Sequence, residues 1–265
     1  MYRSTSLSNL NVVPSRQSAA RHIVVDLLDW YGRPAKSSHL FCDINVSWAK
    51  SVIEKFGRAG RHITMTAILL KAISLAQKSH PASRTIALPF HRTYTLEQTA
   101  AGFTVERIID SMPAVFFGEI EKPHELSLVE ITKQLRAHHE DDLEMLPILK
   151  RQYRFARMPA IVRHSIMWLG TFVPSFRLRF VRARFGLSSL GSLRAHAAAG
   201  PAVSTSVFGV GEIEDRVVIV DGQLAIRPMM TVTLNYDQRA MDGAPAARFL
   251  NDVKKLLEHG WEEPV

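Results

Sequence analysis

The sequence predicts a mixed α/β (α+β) domain in which helices flank a sheet. Segments with apolar residues at helical spacing alternate with segments that have strand composition, and Asp221-Gly222 marks a hairpin turn between two of the strands. Apolar residues make up 46% of 265 positions, which is enough for one sizeable core. We therefore expect residues 1–15 to form a flexible N-terminal arm and residues 16–265 to form a single domain.

The N-terminal third predicts helix, strand and helix in turn. Residues 16–31 can form a helix, and residues 40–46 alternate in part between apolar and polar side chains, which favours a strand. A short helix is expected over residues 48–57. Thr64 or Thr66 can cap a longer helix, because the apolar residues that follow recur at helical spacing as far as residue 76.

The rest of the chain predicts strands on both sides of a helical region. Strands are expected at 103–108 and 114–120, an amphipathic helix at 126–141, further strands at 203–209, 216–220 and 229–236, and a last helix at 245–258. Between them, two helical stretches are expected to be interrupted at Pro159, Gly170 and Pro174.

The positive charge is concentrated in one region. The net charge is +8, and residues 145–211 contain ten Lys or Arg but no Asp or Glu. Such a region attracts anions: a phosphate-bearing cofactor, an anionic lipid surface or nucleic acid. No zinc-ligand spacing, RNP-like signature or helix-turn-helix pattern accompanies the charge, so we expect neither a metal site nor a nucleic-acid partner. Residues 145–186 are interpreted as a basic helical insert in the domain.

The location of the protein is predicted from what the sequence lacks. Cys42 is the only cysteine, so no internal disulfide can form, which fits a reducing compartment. The first residues contain no apolar run typical of a secretory signal, and no apolar run reaches eighteen residues. These observations predict a cytoplasmic protein.

A dense motif near the C-terminus carries the functional prediction. Residues 228–250 read PMMTVTLNYDQRAMDGAPAARFL. This segment resembles the closing motif of the catalytic domains of dihydrolipoamide acyltransferases from 2-oxo acid dehydrogenase complexes, within the chloramphenicol acetyltransferase-like superfamily. Residues 211–222 fit the same family, and residues 22–25 and 39–77 fit it more loosely. The resemblance implies a chloramphenicol acetyltransferase-like fold for the domain, with a mixed sheet and flanking helices.

The resemblance also assigns roles to three residues. The family has a histidine that takes a proton from a thiol or an alcohol, and Gln238 stands at that position. Asp242 matches an aspartate that holds the loop, usually by pairing with an arginine, for which Arg16 and Arg21 are the candidates. Ser188, in Leu-Ser-Ser-Leu-Gly, matches the donor to the tetrahedral oxyanion; its neighbour Ser189 is the alternative in that run.

Glutamine at the histidine position changes the expected chemistry. An amide has no useful basicity near neutral pH, and loss of a positioned general base costs about 10²–10⁴ in rate. His39 and His196 are candidate replacement bases, although a histidine in such a position is more often a surface or hydrogen-bonded residue. We expect Gln238 to orient a reactant by hydrogen bonding.

The resemblance implies acyl transfer from acyl-CoA or another acyl thioester to a small-molecule or carrier-bound acceptor. The expected partners are acyl-CoA or an acyl carrier, with no permanently bound cofactor, and a homotrimer with active sites between subunits. The alternative is a catalytically silent binding or scaffold homologue. Trp168, Phe172, Phe176 and Phe180 are predicted to pack between helices, and the alternative for this 145–186 segment is peripheral contact with an anionic membrane or with long acyl chains.

Overall fold

The structure is a computed structural model that describes residues 19–109, 112–141, 145–173, 176–177 and 183–261. The predicted arm at residues 1–15 and the aromatic residue Phe180 lie outside these ranges.

A six-stranded mixed sheet forms the centre of the molecule. Its strands are β1 (Ser37–Asn45), β4 (Ala100–Ile109), β5 (Met112–Glu121), β6 (Phe185–Ser189), β7 (Ser206–Val220) and β8 (Gln223–Asp237), in the order β1-β8-β7-β6-β4-β5. β6 pairs in parallel with β4 and β7, and the other pairs are antiparallel. Two short strands, β2 (Thr85–Ala87) and β3 (Thr93–Thr95), form a separate hairpin. β-branched and aromatic residues such as Val105, Phe208 and Val232 are buried on the central strands, which fits their strand propensity.

Seven helices cover the sheet. They are α1 (Ala19–Leu27, extended by a π-helical turn over Leu28–Gly32), α2 (Ser47–Arg58), α3 (Met65–Gln77), α4 (Leu128–Glu140), α5 (Pro147–Ala156), α6 (Ala160–Phe172) and α7 (Gly243–His259), counted over the described residues. Thr64 caps α3 as predicted, since its Oγ1 accepts a hydrogen bond from Ala67 N at 3.2 Å. Ser127 and Glu130 form a capping box that begins α4.

The main core lies on one face of the sheet. Phe56 of α2, Ile73 of α3, Ile131 of α4 and Phe249 of α7 pack there in one cluster with buried strand residues such as Val232. Burial of such side chains stabilises the fold by about 1.5–3 kcal/mol each. The opposite face has a smaller cluster, which joins α1, α5 and α6.

Polar contacts fasten this second layer. Arg163 of α6 donates from Nε to Asp26 Oδ2 of α1 at 2.7 Å, and both side chains are buried. Gln152 of α5 bonds both the N–H and the carbonyl of Phe117, at 3.0 and 2.7 Å, along the outer edge of β5. The basic region is therefore joined to the domain by specific contacts at two points.

Two predicted interruptions of secondary structure, one in a strand and one in a helix, are wrong. Residues 203–209 and 216–220 were expected as separate strands, but β7 is continuous from Ser206 to Val220 with a bulge between Val210 and Ile213. The predicted interruption at Gly170 is absent, because α6 runs through this residue. Gly170 packs against the Tyr31 hydroxyl, where a side chain would collide, so the glycine serves close packing rather than a turn.

Within the described ranges, no helix is both long enough and apolar enough to cross a bilayer.

Candidate functional site

The loop after β8 presents Gln238 to solvent on a rigid base. Asp237 is buried, and its carboxylate accepts from Arg239 N at 3.0 Å and from the Arg239 guanidinium at 2.6 Å. Gln238 N donates to the carbonyl of Lys36 at 2.9 Å, and Met241 is buried beneath the loop. The Gln238 side chain is exposed and makes no hydrogen bond to any described residue, so its amide is available to a ligand.

Asp242 forms no ion pair with an arginine among the described residues. Its carboxylate is exposed, occupies the N-cap of α7 without a capping hydrogen bond, and pairs with no described residue, Arg21 included. Arg16 lies outside the described residues. The ion pair that braces this loop joins Asp237 to Arg239, while the Asp242 charge lies at the positive end of the α7 dipole.

Arg177, a residue of the basic region, places a positive charge near the loop that carries Gln238. The Arg177 guanidinium lies 4.4 Å from the centre of the Tyr31 ring, and it donates to the carbonyl of Val203 at 3.4 Å. Burial raises the pKa of Tyr31, and the charge of Arg177 opposes that rise. Burial lowers the pKa of Arg177, with Asp237 and Arg239 among the charges that act on it. Arginine remains protonated at neutral pH despite such a shift, so a cation is fixed beside the loop.

Ser188 lies on β6, at the wall of an apolar cavity of about 140 Å³. The floor is formed by Gly102 and Gly186, which pair across β4 and β6 and place no side chain in the space. Ser189 points away and is exposed. The other apolar walls come from α1, α5, α6 and the neighbouring strands: Ile23, Leu27, Phe103, Phe117, Ile148, Phe155, Met167, Leu187, Val203 and Val207.

The cavity has a small set of polar groups. Ser204 Oγ donates to the carbonyl of Ser206 at 3.0 Å. Glu119 contributes a negative charge to the lining, and Arg151 contributes a positive charge. The Ser188 hydroxyl makes no hydrogen bond to a described residue, so it remains available as a donor into the cavity. An apolar space with a few convergent polar groups is typical of a small-molecule site.

Within one chain, Ser188 and Gln238 lie far apart. In the sheet register Ser188 is level with Gly209, which is level with Thr233, five residues before Gln238. Two strand spacings separate the residues by roughly 10 Å across the sheet, and five residues by roughly 17 Å along it. A reaction that needs both side chains therefore needs a second chain.

The two candidate replacement bases are engaged elsewhere. His39 Nδ1 lies 2.7 Å from Asn235 Oδ1 on the neighbouring strand. His196 Nδ1 lies 3.2 Å from Glu214 Oε1, and its Nε2 lies 3.4 Å from the Thr231 hydroxyl. In the sheet register His39 is level with Asn235, which lies three residues before Gln238. Neither histidine lines the cavity beside Ser188.

The cavity is not predicted from the sequence, although two glycines inside strand segments mark its position. Gly102 and Gly186 each interrupt an otherwise strand-forming run, and a glycine inside a strand often marks the close approach of a ligand. Their juxtaposition could not be predicted, because it depends on a parallel pairing between distant segments.

The C-terminal third of the chain matches a known family. Residues 182–263 match the model described as 2-oxoacid dehydrogenases acyltransferase (catalytic domain). A stretch of 57 residues, 22% of this chain, is 47% identical to the dihydrolipoyllysine-residue succinyltransferase component of the 2-oxoglutarate dehydrogenase complex of Bartonella vinsonii. The match spans only 14% of that relative's length.

Solved structures are similar over nearly the whole chain. Dihydrolipoamide acetyltransferase of Azotobacter vinelandii, studied for the role of a serine, a histidine and an asparagine in its catalytic mechanism, has a TM-score of 0.69 at 18% identity, covering 93% of this chain and 91% of that one. Chloramphenicol acetyltransferase has a TM-score of 0.51 at 12% identity, covering 88% and 94%. The predicted fold class is thereby confirmed: the chain has a mixed α/β, chloramphenicol acetyltransferase-like fold, and its residues 182–263 match the catalytic domain of the 2-oxoacid dehydrogenase acyltransferases.

Proposed function

We propose that the protein is an acyltransferase that moves an acyl group from acyl-CoA or another acyl thioester to a small-molecule or carrier-bound acceptor. The observation that carries the proposal is the apolar cavity with the unpaired Ser188 hydroxyl on its wall. The cavity lies within a fold shared with two acetyltransferases, and Ser188 itself belongs to the segment that matches an acyltransferase family.

Ser188 is the oxyanion donor in this proposal. Attack on a thioester carbonyl places negative charge on its oxygen, and a fixed hydroxyl stabilises that charge in a space that excludes water. A serine is one of the three residues studied in the mechanism of the Azotobacter enzyme, which supports the assignment. Loss of one such donor typically costs about 10²–10³ in rate.

Gln238 orients a reactant and does not remove a proton. Its amide can donate to a carbonyl and accept from a thiol, but it has no useful basicity. A thiol is a few per cent ionised without help, so a thiol nucleophile is less affected by the missing base than an alcohol. Asp237 and Arg239 hold the loop, and Asp242 contributes its charge at the start of α7.

The volume and the apolar lining of the cavity indicate the size and the polarity of the acyl group. An apolar cavity of about 150 Å³ in another protein holds a benzene ring, so about 140 Å³ suits an apolar group of about six carbon atoms. The surplus of Lys and Arg in residues 145–211 suits the phosphates of CoA or an acidic acyl carrier, with no cofactor held permanently.

The site is completed by a neighbouring chain in a homotrimer. Val217, Ile219, Leu224 and Ile226 form pairs across the β7–β8 hairpin and share one exposed face. An exposed apolar face of this kind is typical of an interface between subunits. The separation of Ser188 from Gln238 within one chain is consistent with an active site that takes one residue from each of two subunits.

Release of CoA from a series of acyl-CoAs, from acetyl to octanoyl, with dihydrolipoamide supplied as the thiol that accepts the acyl group, tests the function. We expect turnover that is highest near six carbons, and that falls by about 10²-fold in Ser188→Ala because the oxyanion loses its donor. Ser189→Ala is the matched control and should keep its rate, since Ser189 points to solvent. Absence of turnover in a folded oligomer would favour the silent scaffold, which is motivated by Gln238 at the position where the family resemblance implies a histidine.

A further inference from the structure

The solvent-facing side of α6 is largely apolar, and His164, whose side chain is 51% exposed, is its one ionisable residue. Ile161, Trp168 and Leu169 recur at helical spacing on this side, and the exposed fractions of Ile161 and Trp168 are 82% and 54%. Ser165 lies among them, but its hydroxyl donates to the carbonyl of Ile161 at 2.9 Å and offers little polarity to solvent. The expectation that Trp168 packs between helices is therefore wrong; the buried side of α6 is formed by Arg163, Met167 and Gly170.

A second segment extends this surface at the C-terminal end of α6. Arg92 donates to the carbonyl of Phe172 at 3.1 Å, which places the loop between β2 and β3 beside the helix. In that loop Phe90 is 78% exposed, and both it and His91 have positive φ angles, of 62° and 55°. A bulky side chain in this backbone region is uncommon, and such outliers concentrate at functional positions. Phe90, Ile161, Val162, Trp168 and Leu169 together are called the α6 patch.

Basic residues flank both ends of the α6 patch. Arg154 and Arg157 precede it at the end of α5, and Arg92 lies at its far end. None of the three has a carboxylate partner among the described residues, and the sequence has no acidic residue from 145 to 211. Exposed aromatic and aliphatic side chains with a surplus of Lys and Arg characterise helices that lie in the interface of an anionic membrane.

We propose that the α6 patch docks the protein on an anionic lipid surface, with α6 parallel to the membrane plane. A helix of 13 residues is about 20 Å long, so Ile161 near its start and Trp168 and Leu169 near its end reach the acyl-chain boundary at two points along the membrane plane, with His164 and Ser165 between them. Ile161 and Trp168 enter the boundary from the helix, and Phe90 enters from the adjacent loop. The arginines at the two ends meet lipid phosphates.

Vesicle flotation with the full chain tests this proposal. We expect binding to vesicles rich in phosphatidylglycerol, weak binding to pure phosphatidylcholine, and a steep loss of binding as salt rises from about 0.1 M to about 0.5 M. The double variant Ile161→Ser/Trp168→Ser should lose at least about tenfold in apparent affinity, because two apolar side chains leave the lipid. Ile108→Ser is the matched control, since Ile108 is 79% exposed and lies outside the patch.

Fluorescence gives a second readout that does not depend on the double variant. Lipids brominated in their acyl chains should quench wild-type emission, and Trp168→Phe should remove most of that quenching. Trp48 and Trp261 pack against each other on the main core and should respond little, whereas Trp30, half-buried beside His164 of α6, should account for the quenching that remains in Trp168→Phe. The proposal is overturned by absence of wild-type binding, by equal binding of the double variant, or by a double variant that instead loses oligomeric mass, since a second copy would then cover the patch.

Discussion

Gln238 stands on a loop whose backbone is held by several polar contacts. The buried Asp237 carboxylate, its bonds to Arg239 and the contact of Gln238 N with Lys36 hold the loop in one conformation. A side chain placed there starts from a fixed backbone, which reduces the entropy lost when it engages a ligand. The residue is therefore suited to a direct exchange experiment.

Gln238→His should raise acyl-CoA turnover, on the order of 10²-fold, because an imidazole can take the proton that the amide cannot. The imidazole must be neutral to act as a base, so the gain should increase as pH rises through about 6.5. A pH–rate profile of thiol release measures both effects.

Ser188→Ala in the histidine background should remove most of that gain, since base and oxyanion donor act on one transition state. A wild-type rate typical of acyltransferases, reduced by the histidine, would contradict the orienting role given to Gln238.

Among the elements, α1 and α6 depend on each other through one buried ion pair. Asp26 and Arg163 are both buried, and their contact of 2.7 Å joins the helices over the second face of the sheet. His164 adds a contact with Asp26 at 3.2 Å. Because the cavity lies beneath these helices, its walls depend on this attachment.

Arg163→Met should lower the free energy of unfolding by about 3–5 kcal/mol, because it leaves the Asp26 carboxylate buried without its main partner. Urea unfolding followed by circular dichroism measures the change. Arg157→Met, an exposed site on the same segment, should change stability little. The double variant Asp26→Asn/Arg163→Met should recover part of the loss, and a double variant as unstable as the sum of the two single variants would argue against direct coupling.

Local signals in the sequence predicted most elements, and pairing between distant segments explains what they missed. The last helix was expected at 245–258 and spans Gly243–His259, because its apolar positions and the preceding Asp-Gly mark it locally. The sequence predicts two strands where β7 is continuous, because the close approach of a distant segment is not visible in the sequence: a Cβ at Gly209 or Gly211 would collide with the backbone of Ala198 or His196. The cavity was not predicted, because its floor joins two strands that are far apart in the chain.

The motif predicted Gln238 and Ser188 as candidates, but not their separation. Strand register alone shows that they lie at different levels of the sheet. Such a distance cannot be inferred from a motif, which reports residue types and not their positions in three dimensions.

For the whole molecule, the exposed apolar face of the β7–β8 hairpin is the proposed interface between subunits. Val217→Asp/Ile226→Asp should convert a trimer into a monomer of 29.8 kDa, because charges would be buried opposite apolar side chains. Sedimentation velocity measures the mass, and acyl-CoA turnover should fall with it if two chains form each site. Ile108→Asp, an equally exposed position off the hairpin, should leave the mass unchanged. A monomeric wild-type protein would contradict the trimer.

The sheet order also sets a constraint on how the chain folds. β1 pairs along its full length with β8, with Ser37 opposite Asp237, so most of the chain must be synthesised before β1 finds its neighbour. Contacts of such long sequence separation form slowly, because the loop entropy is lost before the pairing is gained. During that interval the apolar side of β1, with Leu40 and Ile44, has no strand beside it and is open to aggregation or to a chaperone.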